Sequence, residues 1–173
     1  MIQAIYPVRL SRYSLEKVNN KNILTPMFDI SKIAVAVDFS DTSINVLKMA
    51  LELGEKIHSQ LDVIHCAPIA AVSLPVNGHP KVNEKYLKKE LAKARTNLDA
   101  FVSVHAGNNK NITQHVIWGE PTTEVNKYVV ENGIDLIVIG THGRTGLKHL
   151  LMGSVAESVL RHANVPVMCI RSS

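Results

Sequence analysis

An open α/β domain built on a five-stranded parallel sheet is the fold this sequence predicts, on three observations. Four short runs rich in Val and Ile, KIAVAVD, LDVIHCAP, IDLIVIG and VPVMCI, are nearly continuous in apolar residues, as strands buried on both faces of a parallel sheet are. Helical patterns alternate with the strands, in the order β-α-β-α-β-α-β-α-β. The chain of 173 residues is 46% hydrophobic, enough to bury one sizeable core. Right-handed crossovers then put helices on both faces of the sheet.

The elements follow in order. Residues 1–30 have no sustained period, contain the Asn19-Asn20-Lys21-Asn22 cluster and Pro26, and are expected to be a poorly ordered extension or to reflect a start upstream of Met27. An organelle presequence is the alternative for this basic, acid-poor segment, although its amphipathic face is weak. Residues 31–173 form the expected domain. After the first strand, Ile44, Leu47, Leu51 and Ile57 trace one face of a helix that Gly54 weakens in the middle. The stretch APIAAVSLPVNGHP, residues 67–80, reads as a mobile loop. Leu87, Leu91, Ala94, Leu98 and Phe101 then recur at spacings of four and three, the mark of an amphipathic helix. NITQHVIW mixes polar and apolar residues and reads as an edge strand. Pro121 suits the first turn of a helix through Val125, Tyr128 and Val129, and Ser154 opens the last helix.

Charge excludes some function classes. Of the net +4, the first 26 residues carry +3, with Arg9, Arg12, Lys17 and Lys21 against Glu16 alone. The remaining body is close to neutral, with few aromatics and no basic stripe, so nucleic acid is not an expected partner. No run approaches the ~20 apolar residues of a membrane span, and the N-terminus lacks a secretory apolar core. Cys66 and Cys169 form no CxxC pair, and a reduced, cytoplasmic protein is the simpler expectation. No Ser/His/Asp set, carboxylate pair or metal-spaced cluster assembles, so neither a dedicated catalyst nor a protein-held metal is expected.

The chemistry concentrates at two turns. In doubly wound sheets a ligand sits beyond the carboxyl ends of the strands where their order reverses. If the order is 3-2-1-4-5, that point lies between the first and fourth strands, where DFSDTS from Asp38 faces GTHGRTG from Gly140. The glycines fit neither GxxxxGK[ST], since Gly146 precedes Leu147, nor GxGxxG, since Thr141 and His142 separate the first two. What they do form is Gly140, two residues, Gly143, nine residues, then Gly153-Ser154.

This spacing, between an apolar strand and a terminal helix, resembles the nucleotide-binding signature of the universal stress protein family in its ATP-binding branch. AVAVDFSDTS, DLIVIGTHG and NVPVMCIR carry the likeness across residues 32–171. The resemblance implies the Rossmann-like, adenine-nucleotide α-hydrolase-like fold and a cytoplasmic, nucleotide-responsive homodimer. Its dimer would pair through the last strand, VPVMCIR, whose free edge can meet its twin. ATP with Mg2+ would be the ligand, with at most slow hydrolysis.

The resemblance also assigns residues. Asp38 would lie against the adenine, where a carboxylate accepts from the exocyclic amine, with Ser40 close by. Cys66 would replace an aliphatic residue whose backbone contacts the base. Ile139 and Gly140 end the fourth strand beside the ligand, and Gly140 and Gly143 clear space near ribose and phosphates. Gly153, Ser154 and Val155 would present amides to the phosphates at a helix N-terminus.

Other roles stay open for some of these residues. Asp38 could cap the first helix together with Ser40 or Asp41. Ser154-Val155-Ala156-Glu157 has the form of a capping box, in which the serine hydroxyl satisfies a backbone donor. His142, His149, Arg144 and Lys148 could give positive potential or be solvated loop residues. His65, inside an apolar strand, is expected to be a satisfied core histidine. Gly146, outside the spacing, is turn punctuation. The rival functions are a member of the family that serves only as an interaction or dimerisation domain, and an adenylating enzyme of the same superfamily. The latter would show an HxGH element or a glycine-serine loop after the first strand, and DFSDTS supplies neither.

Overall fold

The computed structural model describes residues 29–68, 73–76, 79–82, 84–141 and 152–171. Five strands, β1 (Lys32–Ala36), β2 (Gln60–Pro68), β5 (Ile112–Gly119), β6 (Leu136–Gly140) and β7 (Val167–Ile170), form one sheet in the order β5-β2-β1-β6-β7. All four pairings are parallel, which is the expected 3-2-1-4-5 arrangement. The helices are α1 (Asp41–Ile57), α2 (Glu84–Ala106), α3 (Pro121–Glu131) and α4 (Ser154–His162). Among the described residues no helix is long and apolar enough to cross a membrane.

The alternation of side chains along each strand splits the core in two. Ile33, Val35, Leu61, Val63, Leu136 and Val138 face one way, packed with Val46, Leu47 and Ala50 of α1 and Leu98 and Val102 of α2. Ala34, Ile64, Ile137 and Ile139 face the other way, against Val125 and Val129 of α3 and Ala156 and Val159 of α4. Register ties the layers together: Val35 lies between Val63 and Val138. β5 is an edge strand, as its mixed pattern predicts. β7 is the opposite edge, as the order 3-2-1-4-5 requires; its run VPVMCI reads as doubly buried, but its four residues are only half-buried.

Three local features depart from the sequence reading. The stretch expected to be a mobile loop holds a two-stranded antiparallel hairpin, β3 (Ser73–Val76) with β4 (His79–Val82), in which Val76 opposes His79. The residues between them are Asn77-Gly78, the dipeptide most strongly associated with two-residue hairpin turns. The buried face of α1 runs through Ser43, Val46, Leu47, Ala50 and Gly54, whereas Ile57 is 40% exposed. Gly54 is the reason: a Cβ there would lie 2.4 Å from Leu61 Cδ1, so its missing side chain lets α1 settle on β2. The helix remains unbroken and ends where His58 turns left-handed at φ 57, its N–H bonding to Gly54 O.

Gly54→Ala is therefore expected to destabilise the fold. Alanine gains about 1 kcal/mol in helix propensity, but its Cβ forces the buried Leu61 side chain to repack, and overpacking of this kind costs about 1–3 kcal/mol. Urea unfolding should show a net loss of about 1 kcal/mol, with the slope unchanged.

A buried ionic cluster lies toward the amino ends of the strands. Asp62 is fully buried on the α3 side of β2 and pairs with Lys32 Nζ at 2.8 Å. It accepts from Tyr128 Oη at 2.8 Å and also from the Thr113 hydroxyl. Burial by itself would raise the Asp62 pKa, but the hydrogen bonds from Lys32, Thr113 and Tyr128 and the lysine charge hold it below the ordinary value. Nearby, Asp135 Oδ2 accepts from the Ser31 and Lys32 amides, both at 3.0 Å, fastening the start of β1 to that of β6.

Candidate functional site

At the other end of the sheet, beyond the carboxyl ends of β1 and β6, a cavity of about 300 Å³ opens on the α3/α4 face. This is the point where the strand order reverses. Its apolar floor is Ala36, Ile64, Cys66, Val125 and Ile139. One wall is Asp38 and Ser43, and the facing wall is Gly140 and Thr141 with Gly153 to Ala156.

Of the residues singled out from the sequence, Asp38, Cys66, Ile139, Gly140, Gly153, Ser154 and Val155 line this cavity. Ser40 stands behind the wall. It is the N-cap of α1 and accepts from the Ser43 amide at 3.4 Å. Its hydroxyl donates to Asp38 Oδ1 at 2.6 Å, and its amide donates to the same oxygen at 3.1 Å. The Ser43 hydroxyl donates to Asp38 Oδ1 at 2.7 Å and accepts from the Asp38 amide at 2.9 Å. The cap is thus Ser40, and Asp38 is aimed by it. Gly143 lies outside the described residues, as do His142, Arg144, Gly146, Lys148 and His149.

The glycine spacing has a simple geometric result. Thr141 is tied to β7 by its N–H to Ile170 O at 2.8 Å, and its own carbonyl accepts from the Gly153 N–H at 2.6 Å. Thr141 and Gly153, though 12 residues apart in the chain, therefore meet and join the two ends of the motif. Gly153 has φ −72, which any residue can adopt, but a Cβ would sit 3.3 Å from Thr141 O. Close approach, not turn geometry, is what favours glycine here, since a Cβ would need Thr141 O to give by a few tenths of an ångström.

Two expectations for the last helix change. The capping box does not form: Gly153 is the N-cap, with no side-chain cap hydrogen bond, and Ser154 is already helical. Glu157 instead reaches Arg161, at 2.8 Å. Gly153 does not present its amide to the cavity, because that N–H is spent on Thr141 O. The amides that precede the first helical bond, Glu157 N–H to Gly153 O at 2.9 Å, belong to Ser154, Val155 and Ala156. With the positive end of the helix dipole they make one wall attractive to anions.

The other end of the cavity is apolar apart from Asp38. The Cys66 Sγ sits 3.7 Å from Gly119 O, and burial, followed by the charges of Glu124 and Glu120, pushes its thiol up to about 12. It is a neutral, unreactive wall group at physiological pH. His65 points to the opposite face, is 7% exposed, and bonds through Nδ1 to Val37 O at 2.8 Å, the satisfied core histidine expected. Among the described residues, no group of three or more His, Cys, Asp or Glu could hold a metal ion.

Among the lining residues that the sequence does not single out as site residues are Ser43, Thr141, Val125 and Ala156. Ser43 has a signal, the second serine of DFSDTS, one helical turn beyond the cap. Thr141 lies inside the glycine motif itself.

Comparison with known proteins accords with this architecture. Residues 29–171 match the universal stress protein family. Universal stress protein MJ0531 of Methanocaldococcus jannaschii is 30% identical over 146 residues, covering 81% of each chain. YxiE of Bacillus subtilis, also a universal stress protein, is 30% identical over 151 residues, covering 82% of this chain and 99% of its own. Among solved structures, MJ0577 of M. jannaschii superposes with a TM-score of 0.68 at 25% identity, over 84% of this chain and 98% of its own. The Archaeoglobus fulgidus universal stress protein, solved in complex with dAMP, gives 0.57 at 27% identity, over 83% and 99%. With its strand order, its switch-point cavity and these likenesses together, the chain belongs to the universal stress protein family.

Proposed function

We propose that the chain is an ATP-binding universal stress protein, a homodimeric, nucleotide-responsive regulatory module with at most slow hydrolysis. The observation that carries this reading is the junction at Thr141 and Gly153, which brings the start of α4 to the wall of a cavity of about 300 Å³ lined by Ser154, Val155 and Ala156, whose amides precede the first helical bond. Adenine would lie on the floor of Ile64, Cys66 and Val125, with its exocyclic amine toward Asp38. A guanine would present a carbonyl to that carboxylate, which repels it. The phosphates would face the start of α4. The dAMP complex of the A. fulgidus relative supports an adenylate in this fold.

The site is built for holding rather than turnover. Asp38 is the one carboxylate lining the cavity among the described residues, and Oδ1 is engaged by Ser40 and Ser43 at the base end. Among the described residues, no group there is placed to activate water near the phosphates. Magnesium would travel with the triphosphate, since its chemistry favours phosphate oxygens and waters over a protein cage. The free edge of β7, half-buried within one chain, would pair with a second copy.

Displacement of a fluorescent ATP analogue tests the ligand class. ATP and AMP should both compete and GTP should compete at least tenfold less well. Equal competition by GTP would remove Asp38 from base recognition. Sedimentation velocity should give twice the 19.0 kDa chain mass; a monomer at micromolar concentration would contradict the homodimer.

A further inference from the structure

We propose that Phe39 is a positioning residue for Asp38, acting through the left-handed turn between β1 and α1; its effect on ligand choice rests on the adenine site proposed above. Phe39 adopts φ 66, a region that bulky L-residues rarely enter. Such backbone persists only where the surroundings over-determine it.

The surroundings here are aromatic. The Phe39 ring packs on His65, with centroids 4.2 Å apart and planes inclined by 31°, and on Phe101 of α2 at 5.6 Å. Phe101 in turn lies 4.9 Å from His105. His65 is buried and bonded to Val37 O at 2.8 Å, and Val37 N–H bonds to Ile64 O at 2.9 Å. The stack is therefore fixed to β1 and β2 on one side and to α2 on the other.

Phe39 and Asp38 serve opposite faces of the sheet. The ring packs against the α1/α2 core, while Asp38 lines the cavity on the α3/α4 side. With residue 39 left-handed, the chain doubles back so that Ser40 N, Ser40 Oγ and Ser43 Oγ all reach Asp38 Oδ1, at 3.1, 2.6 and 2.7 Å. Were the ring removed, the turn would lose the aromatic packing that favours a positive φ. Relaxation to a negative φ would swing Ser40 away and loosen the Ser40 hydrogen bonds that help aim the carboxylate.

Two readouts test this on the full chain with Phe39→Ala, Phe39→Tyr, Asp38→Asn and the double variant Asp38→Asn/Phe39→Ala. Amide hydrogen exchange by NMR reads the turn without any ligand. In Phe39→Ala the Asp38 and Ser40 amides should exchange at least tenfold faster while those of Ile33 and Val35 stay protected; Phe39→Tyr should restore both. A residue that merely fills the core would raise exchange across β1 as a whole.

The second readout is preference for ATP over inosine triphosphate, which lacks the exocyclic amine. Phe39→Ala should lose the preference to the same level as Asp38→Asn, and the double variant should differ from Asp38→Asn by less than twofold. If Phe39→Ala does not fold, Phe39→Leu, which keeps the bulk without the ring, carries both measurements. Wild-type exchange at Asp38 and Ser40, or effects that multiply fully in the double variant, would overturn the proposal. If the unmodified protein binds neither nucleotide, the adenine reading fails and the exchange data alone decide the positioning role.

Discussion

Replacing Asp62 by alanine is expected to destabilise the protein by about 3 kcal/mol, near the lower end for breaking a buried ion pair. The lower end applies because the Lys32 side chain is 26% exposed and can rehydrate, whereas Asp62 is buried. The larger loss falls on Tyr128 and Thr113, whose hydroxyls would lose their acceptor inside the core. Asp62→Asn keeps the shape and one acceptor and should cost about half as much. Urea denaturation at neutral pH checks both variants; equal stability of Asp62→Ala and the parent would mean the cluster contributes nothing.

The same cluster makes stability pH-dependent, with a definite sign. The folded pKa of Asp62 lies below the unfolded reference of 3.8, so the unfolded chain takes up the proton first as pH falls. The contribution is therefore complete at neutral pH, starts to fall near the unfolded pKa, and is lost as pH drops through the lower folded value. Acid titration of stability should fall less steeply below about pH 4 in Asp62→Asn than in the parent protein.

Gly153→Val should weaken ATP binding by about 100-fold, equivalent to about 2.8 kcal/mol, while leaving the fold and the dimer in place. A branched side chain must displace Thr141 O, which a Cβ alone would approach to 3.3 Å. That separates the end of β6 from the start of α4 and misdirects the amides of Ser154, Val155 and Ala156, whose hydrogen bonds to a charged phosphate are each worth about 1.5–3 kcal/mol. The backbone conformation itself is permitted to valine, so the damage should stay local. Calorimetric titration alongside sedimentation separates the two effects: unchanged affinity would move the phosphate site elsewhere, and loss of the dimer would show that the substitution did more than crowd the wall.

Much of this architecture is legible in the sequence because it rests on short-range pattern. Apolar runs at KIAVAVD and IDLIVIG fix strands, helical spacing fixes α2, and the glycine spacing marks both ends of the junction that Thr141 and Gly153 close. What escapes the sequence depends on residues brought together from a distance. Asp62 meets Tyr128 across 66 positions, and only the oddity of a carboxylate within LDVIHCAP hints that it needs a partner. Gly54 looks like a helix weakness until Leu61 is seen against it. The Gly153 amide looks available to a ligand until Thr141 O takes it. The hairpin of β3 and β4 is a different case, since the Asn-Gly dipeptide between its strands is a local turn signal that stands among prolines and small residues typical of a loop.

Amide chemical-shift mapping with ATP and Mg2+ reports nucleotide binding at the switch-point cavity and its location together. The largest shifts are expected at Ser154, Val155, Ala156 and Asp38, with Lys32 and Asp62 at the far end of the sheet unmoved. Absence of shifts in a folded sample at millimolar ATP, or shifts gathered along β5 and α2 instead, would contradict it.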